Sequence, residues 1–155
     1  MKTVTRVIRN LYERQQFIRW LQQVQEERLT ITVMPGAKRS NAQNRLFWQW
    51  MQDLEAQGDQ TAQEYRAYCK LHFGVPILRA ETPAFREQYD QTVKPLQYET
   101  KLALMKEPID LPVTRLMTVN QERALLDEVW QHFTGLGFQL TDPSTYGLEQ
   151  YGVAA

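Results

Sequence analysis

The 155-residue chain holds one cysteine, two histidines, seven glycines and seven prolines. With Cys69 alone no internal disulfide forms, and with His72 as its nearest histidine a structural zinc site lacks ligands. A reducing, cytoplasmic setting is the expectation. No apolar run approaches the length of about 18 residues that a membrane span needs, and no charged-then-apolar leader opens the sequence, so neither secretion nor a membrane partner is expected. There is no internal repeat, no low-complexity tract, no glycine-rich phosphate loop and no G-x-S-x-G elbow. ATP-driven and hydrolytic chemistry therefore have no motif to stand on. A net charge of zero also lacks the basic excess usual in nucleic-acid-binding domains.

That zero conceals an uneven distribution. Residues 1–50 carry nine Lys/Arg against three Asp/Glu, a surplus of +6, which residues 51–155 return with nine against fifteen. One end of the chain attracts phosphate or an acidic partner, although a solvated surface produces the same asymmetry. Apolar residues make up 43%, too many for a chain that stays disordered, and the length suits a single domain of residues 1–143 followed by a tail of 144–155.

The opening reads as strand, helix, strand. Residues 3–8 are rich in β-branched side chains, and Leu29, Ile31 and Val33 alternate with Thr30, Thr32 and Met34 before Pro35-Gly36 turns the chain. Between them Asn10 and Glu13 have capping-box spacing and start a helix. Further caps stand at Ser40/Gln43, Thr61/Glu64 and Thr118/Gln121, with Pro83 suited to a first helical position. Gly58 is placed to end the second helix, and Gly74 with Pro76 to end the third near Phe73. A weaker helix spans 97–106, and 111–116 holds a short extended piece. The fold class expected is α+β, a small N-terminal sheet packed with a mainly helical remainder.

The run Lys38-Arg39-Ser40-Asn41-Ala42-Gln43-Asn44-Arg45-Leu46-Phe47-Trp48 carries the chemistry. Lys38, Arg39 and Arg45 surround a helix N-terminus, where unpaired N–H groups and the dipole favour anions. Leu46, Phe47, Trp50, Met51 and Leu54 share one sector of that helix, whereas Trp48 falls on the side of Asn41, Arg45 and Gln52. An indole there is either a platform for an unpaired base, with Arg45 on the adjoining phosphate, or a contact with another helix or a second subunit. Ser40 and Gln43 either hold phosphate or merely cap the helix. Asn44 either reads a base edge or fixes the preceding turn.

Written as R-S-x-x-Q-N-R-x-x-W, the run resembles the signature of the NinB/Orf family of phage recombination proteins. The order of elements agrees over about two thirds of the chain, including Thr114 to Val119, the helix of residues 122–133, Gly137-Phe138 and Asp142; residues 74–110 depart from the pattern. The resemblance implies a non-enzymatic, cofactor-free homodimer of α+β architecture that binds single-stranded DNA. It implies a role in loading a recombinase, in association with the host single-stranded-DNA-binding protein. Carried over by position, it assigns DNA contact to Arg39, Ser40, Gln43, Asn44, Arg45 and Trp48, with Gln43 and Trp48 foremost. Three rivals remain: a helix-turn-helix reader of duplex DNA built from residues 40–57 and 61–73, a structure-selective nuclease, and a pure protein adaptor that binds neither DNA form.

Overall fold

The computed structural model describes Val4, Arg6, Ile8 and residues 10–33 and 41–148. The chain forms two compact units, residues 1–38 and 39–155. In the first, α1 (Leu11–Gln23) starts at Asn10, whose side chain accepts from the Glu13 N–H at 2.9 Å. No residue of α1 is buried. Phe17 stacks on Trp20 at 5.8 Å, and the Arg6 guanidinium lies 5.0 Å from the Trp20 ring centroid.

The described residues contain no strand, which overturns the α+β expectation: the described architecture is helical. The alternating run is present, but Leu29, Ile31 and Val33 point into solvent, Val33 at 86% exposure. Alternation supplies only the side-chain half of a strand. The other half is a hydrogen-bonded neighbour, and a ladder of two short strands is marginal even when both are present.

The second unit is built on α2 (Asn41–Gln57), α3 (Ala62–Cys69) and α7 (Val119–Gly135). From α2, Leu46, Phe47, Trp50, Met51 and Leu54 are buried, the sector that 100° spacing selects. They meet Tyr65, Ala67 and Cys69 of α3 and Leu125, Leu126, Val129 and Phe133 of α7 in one core. Thr118 opens α7 with a reciprocal capping box to Gln121, as the spacing requires.

The third helix does not stop at Gly74. It passes through a π-helical turn, Lys70–Gly74, into α4 (Val75–Glu81), with the Val75 N–H bonded back to the Lys70 carbonyl. The wider turn lets Pro76 enter a continuing helix, because a proline ring otherwise collides with the preceding turn. Gly74 serves packing here: a Cβ on it would stand 2.6 Å from Val113 Cγ1. α5 (Pro83–Thr92) and α6 (Tyr98–Met105) follow, and Thr114–Leu116 is a 3-10 turn rather than an extended piece.

Beyond α7, residues 139–141 run along α2 and take their hydrogen bonds from its side chains. Trp50 Nε1 donates to the Thr141 carbonyl at 2.8 Å, and Asp53 Oδ2 accepts from the Thr141 N–H and hydroxyl at 2.7 and 2.8 Å. Gln57 bonds both the N–H and the carbonyl of Gln139. Positions 50, 53 and 57 lie on one helical face, so α2 stands in for a neighbouring strand. The packed chain also extends past residue 143: Pro143–Tyr146 forms a 3-10 turn against α2, with Pro143 buried and Leu148 packed on the core. No helix among the described residues is long and apolar enough to cross a membrane.

Candidate nucleic-acid interface

Lys38, Arg39 and Ser40 lie outside the described residues. The remainder of the signature sits on the first two turns of α2 and divides between inside and outside. Gln43, 2% exposed, turns inward, and its Nε2 donates to the Val119 carbonyl at 3.1 Å, joining the start of α2 to the start of α7. A strand on the surface does not reach that amide. Gln43, expected at the head of the DNA contacts, thus ties the start of α2 to α7 and is buried. Asn44 is half-buried.

Arg45 is exposed, with its guanidinium carbon 5.7 Å from the Tyr146 ring centroid. The Tyr146 hydroxyl donates to Gln49 Oε1, and Gln49 Nε2 donates to Asp53 Oδ1 at 2.9 Å. The 143–146 turn is thereby tied to the outer side of α2, and Arg45 is held along it. Trp48, one helical turn further on, is half-buried and packs against the rim of the core. One face of its indole is covered by Arg66 of α3, whose guanidinium carbon lies 4.9 Å from the ring centroid. Of the two readings for Trp48, contact with a neighbouring helix is therefore present in this structure, and the ring retains partial exposure.

Arg66 is itself anchored. Its Nη1 donates to Asp110 Oδ1 at 2.6 Å, and Lys70 Nζ donates to the same oxygen at 2.7 Å and to the Met105 carbonyl at 2.9 Å. Burial alone would raise the Asp110 carboxyl, but the hydrogen bonds and charges of Arg66 and Lys70 outweigh it and hold the group down at about 2. Burial pushes the Lys70 ammonium down, an effect its bond to Asp110 partly offsets. These three residues escape a motif scan, yet a signal for two of them exists. Arg66 and Lys70 are like charges four apart on one helix, a spacing that calls for a counter-charge from elsewhere.

The Asp110 cluster has a pH signature. A carboxyl held below its ordinary value of 3.8 contributes stability that is complete above that pH and lost as pH falls toward about 2. Urea denaturation between pH 5 and 2 is expected to show the parent's advantage over Asp110→Asn shrinking across that window. A constant difference would mean that the ion pair does not set the titration.

The second helix of the proposed duplex reader has little to offer a groove. Tyr65, Ala67 and Cys69 are buried, and Arg66 and Lys70 are turned onto Asp110. Cys69 and His72 do not form a nucleophile and base. The thiol is fully buried, and burial pushes it well above the ordinary thiol range, while His72 Nε2 pairs with the Tyr98 hydroxyl at 2.8 Å. Tyr68 stacks on His72 at 4.2 Å and on His132 at 5.7 Å, gathering both histidines into one aromatic rim. Burial, then the charge of His132, lowers the His72 value. Among the described residues no three His, Cys, Asp or Glu side chains gather in a metal-binding group.

No family model matches the chain, and no curated protein or solved structure matches it either. The resemblance to the NinB/Orf family consequently rests on the residue 39–48 signature and on the order of the helices. Its strand component falls away with the α+β expectation.

Proposed function

We propose that the protein binds single-stranded DNA without catalysing a reaction on it. In this reading it serves as a phage-type recombination mediator, a homodimer acting beside the host single-stranded-DNA-binding protein. The observation that carries the reading is Trp48: an indole on the polar side of α2, still partly exposed, with Arg45 one turn before it and Arg66 against its face. Arg45, Trp48 and Arg66 form the seat; Lys38, Arg39 and Ser40 directly precede α2 in sequence and are candidate phosphate contacts. Guanidinium planes and indoles both stack on unpaired bases, and each base so held contributes about 1–3 kcal/mol. The surplus of +6 in residues 1–50 supplies the attraction for the backbone. The family's α+β architecture is not part of the proposal.

Competition between labelled oligothymidylate and duplex of mixed sequence tests it. The single strand is expected to win by about tenfold or more, and affinity is expected to fall linearly on a log–log plot against salt. Arg45→Ala should flatten that slope by about 0.7, the value of one phosphate contact on a single strand. A strong preference for one duplex sequence would instead support a duplex reader. Magnesium-dependent cutting of branched DNA would support a nuclease.

A further inference from the structure

Lys70, 1% exposed, and Arg66, at 12%, are side chains of one helix that converge on a single oxygen of a single carboxylate. Two cations thus share one carboxylate oxygen among the described residues. Buried charge that is not balanced is costly, and it selects for an anion. Arg66 Nε is also buried without a hydrogen-bond partner, so the guanidinium fork keeps an unused donor. Asp110 fills the place imperfectly. It arrives from the turn closed by its own N–H to the Lys106 carbonyl, takes a φ of +48, and leaves its side chain 37% exposed. Oδ1 alone receives both cations.

We infer that Arg66 and Lys70 form an oxyanion site for a phosphate group, which Asp110 occupies as an internal competitor. A phosphate offers several oxygens to a guanidinium fork and an ammonium, where Asp110 uses one. Its entry displaces the Asp110 carboxylate toward solvent, from which the side chain is already only partly withdrawn. Because Arg66 also lies on Trp48, a phosphate seated here stands beside the indole. The assignment of that phosphate to a DNA strand rests on the function proposed above; free phosphate is the other source of the same chemistry.

The test uses inorganic phosphate and oligothymidylate on the full chain, with Asp110→Asn and the double variant Asp110→Asn/Arg66→Gln. Asparagine tolerates a positive φ as aspartate does, so the backbone is kept. Phosphate, compared with chloride at equal ionic strength, is expected to raise the Tm of Asp110→Asn by several degrees and that of the parent by much less. The double variant should lose the rise. Should Asp110→Asn not fold in chloride, recovery in phosphate supports the site, and failure in both salts overturns it. A Tm of Asp110→Asn that responds alike to the two salts also overturns it. Oligothymidylate is expected to bind Asp110→Asn about tenfold more tightly than the parent. If phosphate protects but the oligonucleotide binds neither protein, the anion site stands for free phosphate and the DNA reading falls. If the oligonucleotide binds both proteins equally and phosphate protects neither, the DNA reading stands and the anion site falls.

Discussion

Trp50→Ala is expected to lower the unfolding free energy by about 5 kcal/mol. Truncating a fully buried tryptophan costs about 3–5 kcal/mol in lost transfer energy and residual cavity. Trp50 is completely buried and packs on Trp130 with ring centroids 5.5 Å apart. Its Nε1 also provides the hydrogen bond to the Thr141 carbonyl, and an acceptor left without a partner costs about another 1 kcal/mol. Domains of this size hold about 5–15 kcal/mol in total, so the variant stands near the threshold of folding. Trp50→Phe goes far toward separating the two contributions, since it retains a six-membered ring in the core and removes the donor with the smaller ring of the indole. A loss of about 1–2 kcal/mol is expected for it, read as a lower urea midpoint at unchanged slope. A Trp50→Phe cost near zero would show that the Trp50 bond to the Thr141 carbonyl does not help hold residues 139–141 on α2.

The Asp110 cluster predicts an asymmetry between its two ends. Asp110→Asn keeps the positive-φ backbone but leaves Lys70 and Arg66 facing each other with no carboxylate, and breaking a buried pair in this way costs about 3–5 kcal/mol. Because the Asp110 side chain is 37% exposed, solvent relieves part of that, and about 2–3 kcal/mol is expected. Lys70→Met removes the more deeply buried of the cluster's two cations and leaves Asp110 paired with Arg66. An apolar side chain of similar length suits a site with 1% exposure, so the change is expected to stay within about 1 kcal/mol in either direction. Equal losses from both substitutions would mean that the cluster stabilises through attraction rather than through compensation of buried charge.

The difference between local and distant pairing explains which parts of this molecule were legible in the sequence. The Asn10, Thr61 and Thr118 caps, the buried sector of α2 and the apolar face of α7 depend on residues within one or two turns, and all are found. Ser40 lies outside the described residues. The 29–33 strand fails because alternation does not specify a neighbour, and the 3–8 strand falls partly outside the described residues. Gly74 and Pro76 fail because their stopping rule assumes a regular α-turn, and the π-turn together with the close approach of Val113 changes what those residues do.

The candidate site divides along the same line. The outward placement of Arg45 follows from helical angle alone. The indole of Trp48 comes to lie under Arg66 only because α3 returns alongside α2, and Arg66 is held there only because Asp110 arrives from 44 residues away. The inward turn of Gln43 depends on the Val119 carbonyl, 76 residues distant. Capping-box spacing at Ser40/Gln43 gives no hint of that bond.

Titration of intrinsic tryptophan emission with oligothymidylate, on the parent and on Trp48→Ala, bears most directly on the proposed binding seat. With Trp48 in the seat, the parent's emission is quenched on binding, and the variant shows weaker quenching with affinity reduced by about tenfold, as loss of one stacked base requires. A Trp48→Ala isotherm that overlays the parent's in midpoint and amplitude would contradict the seat at α2.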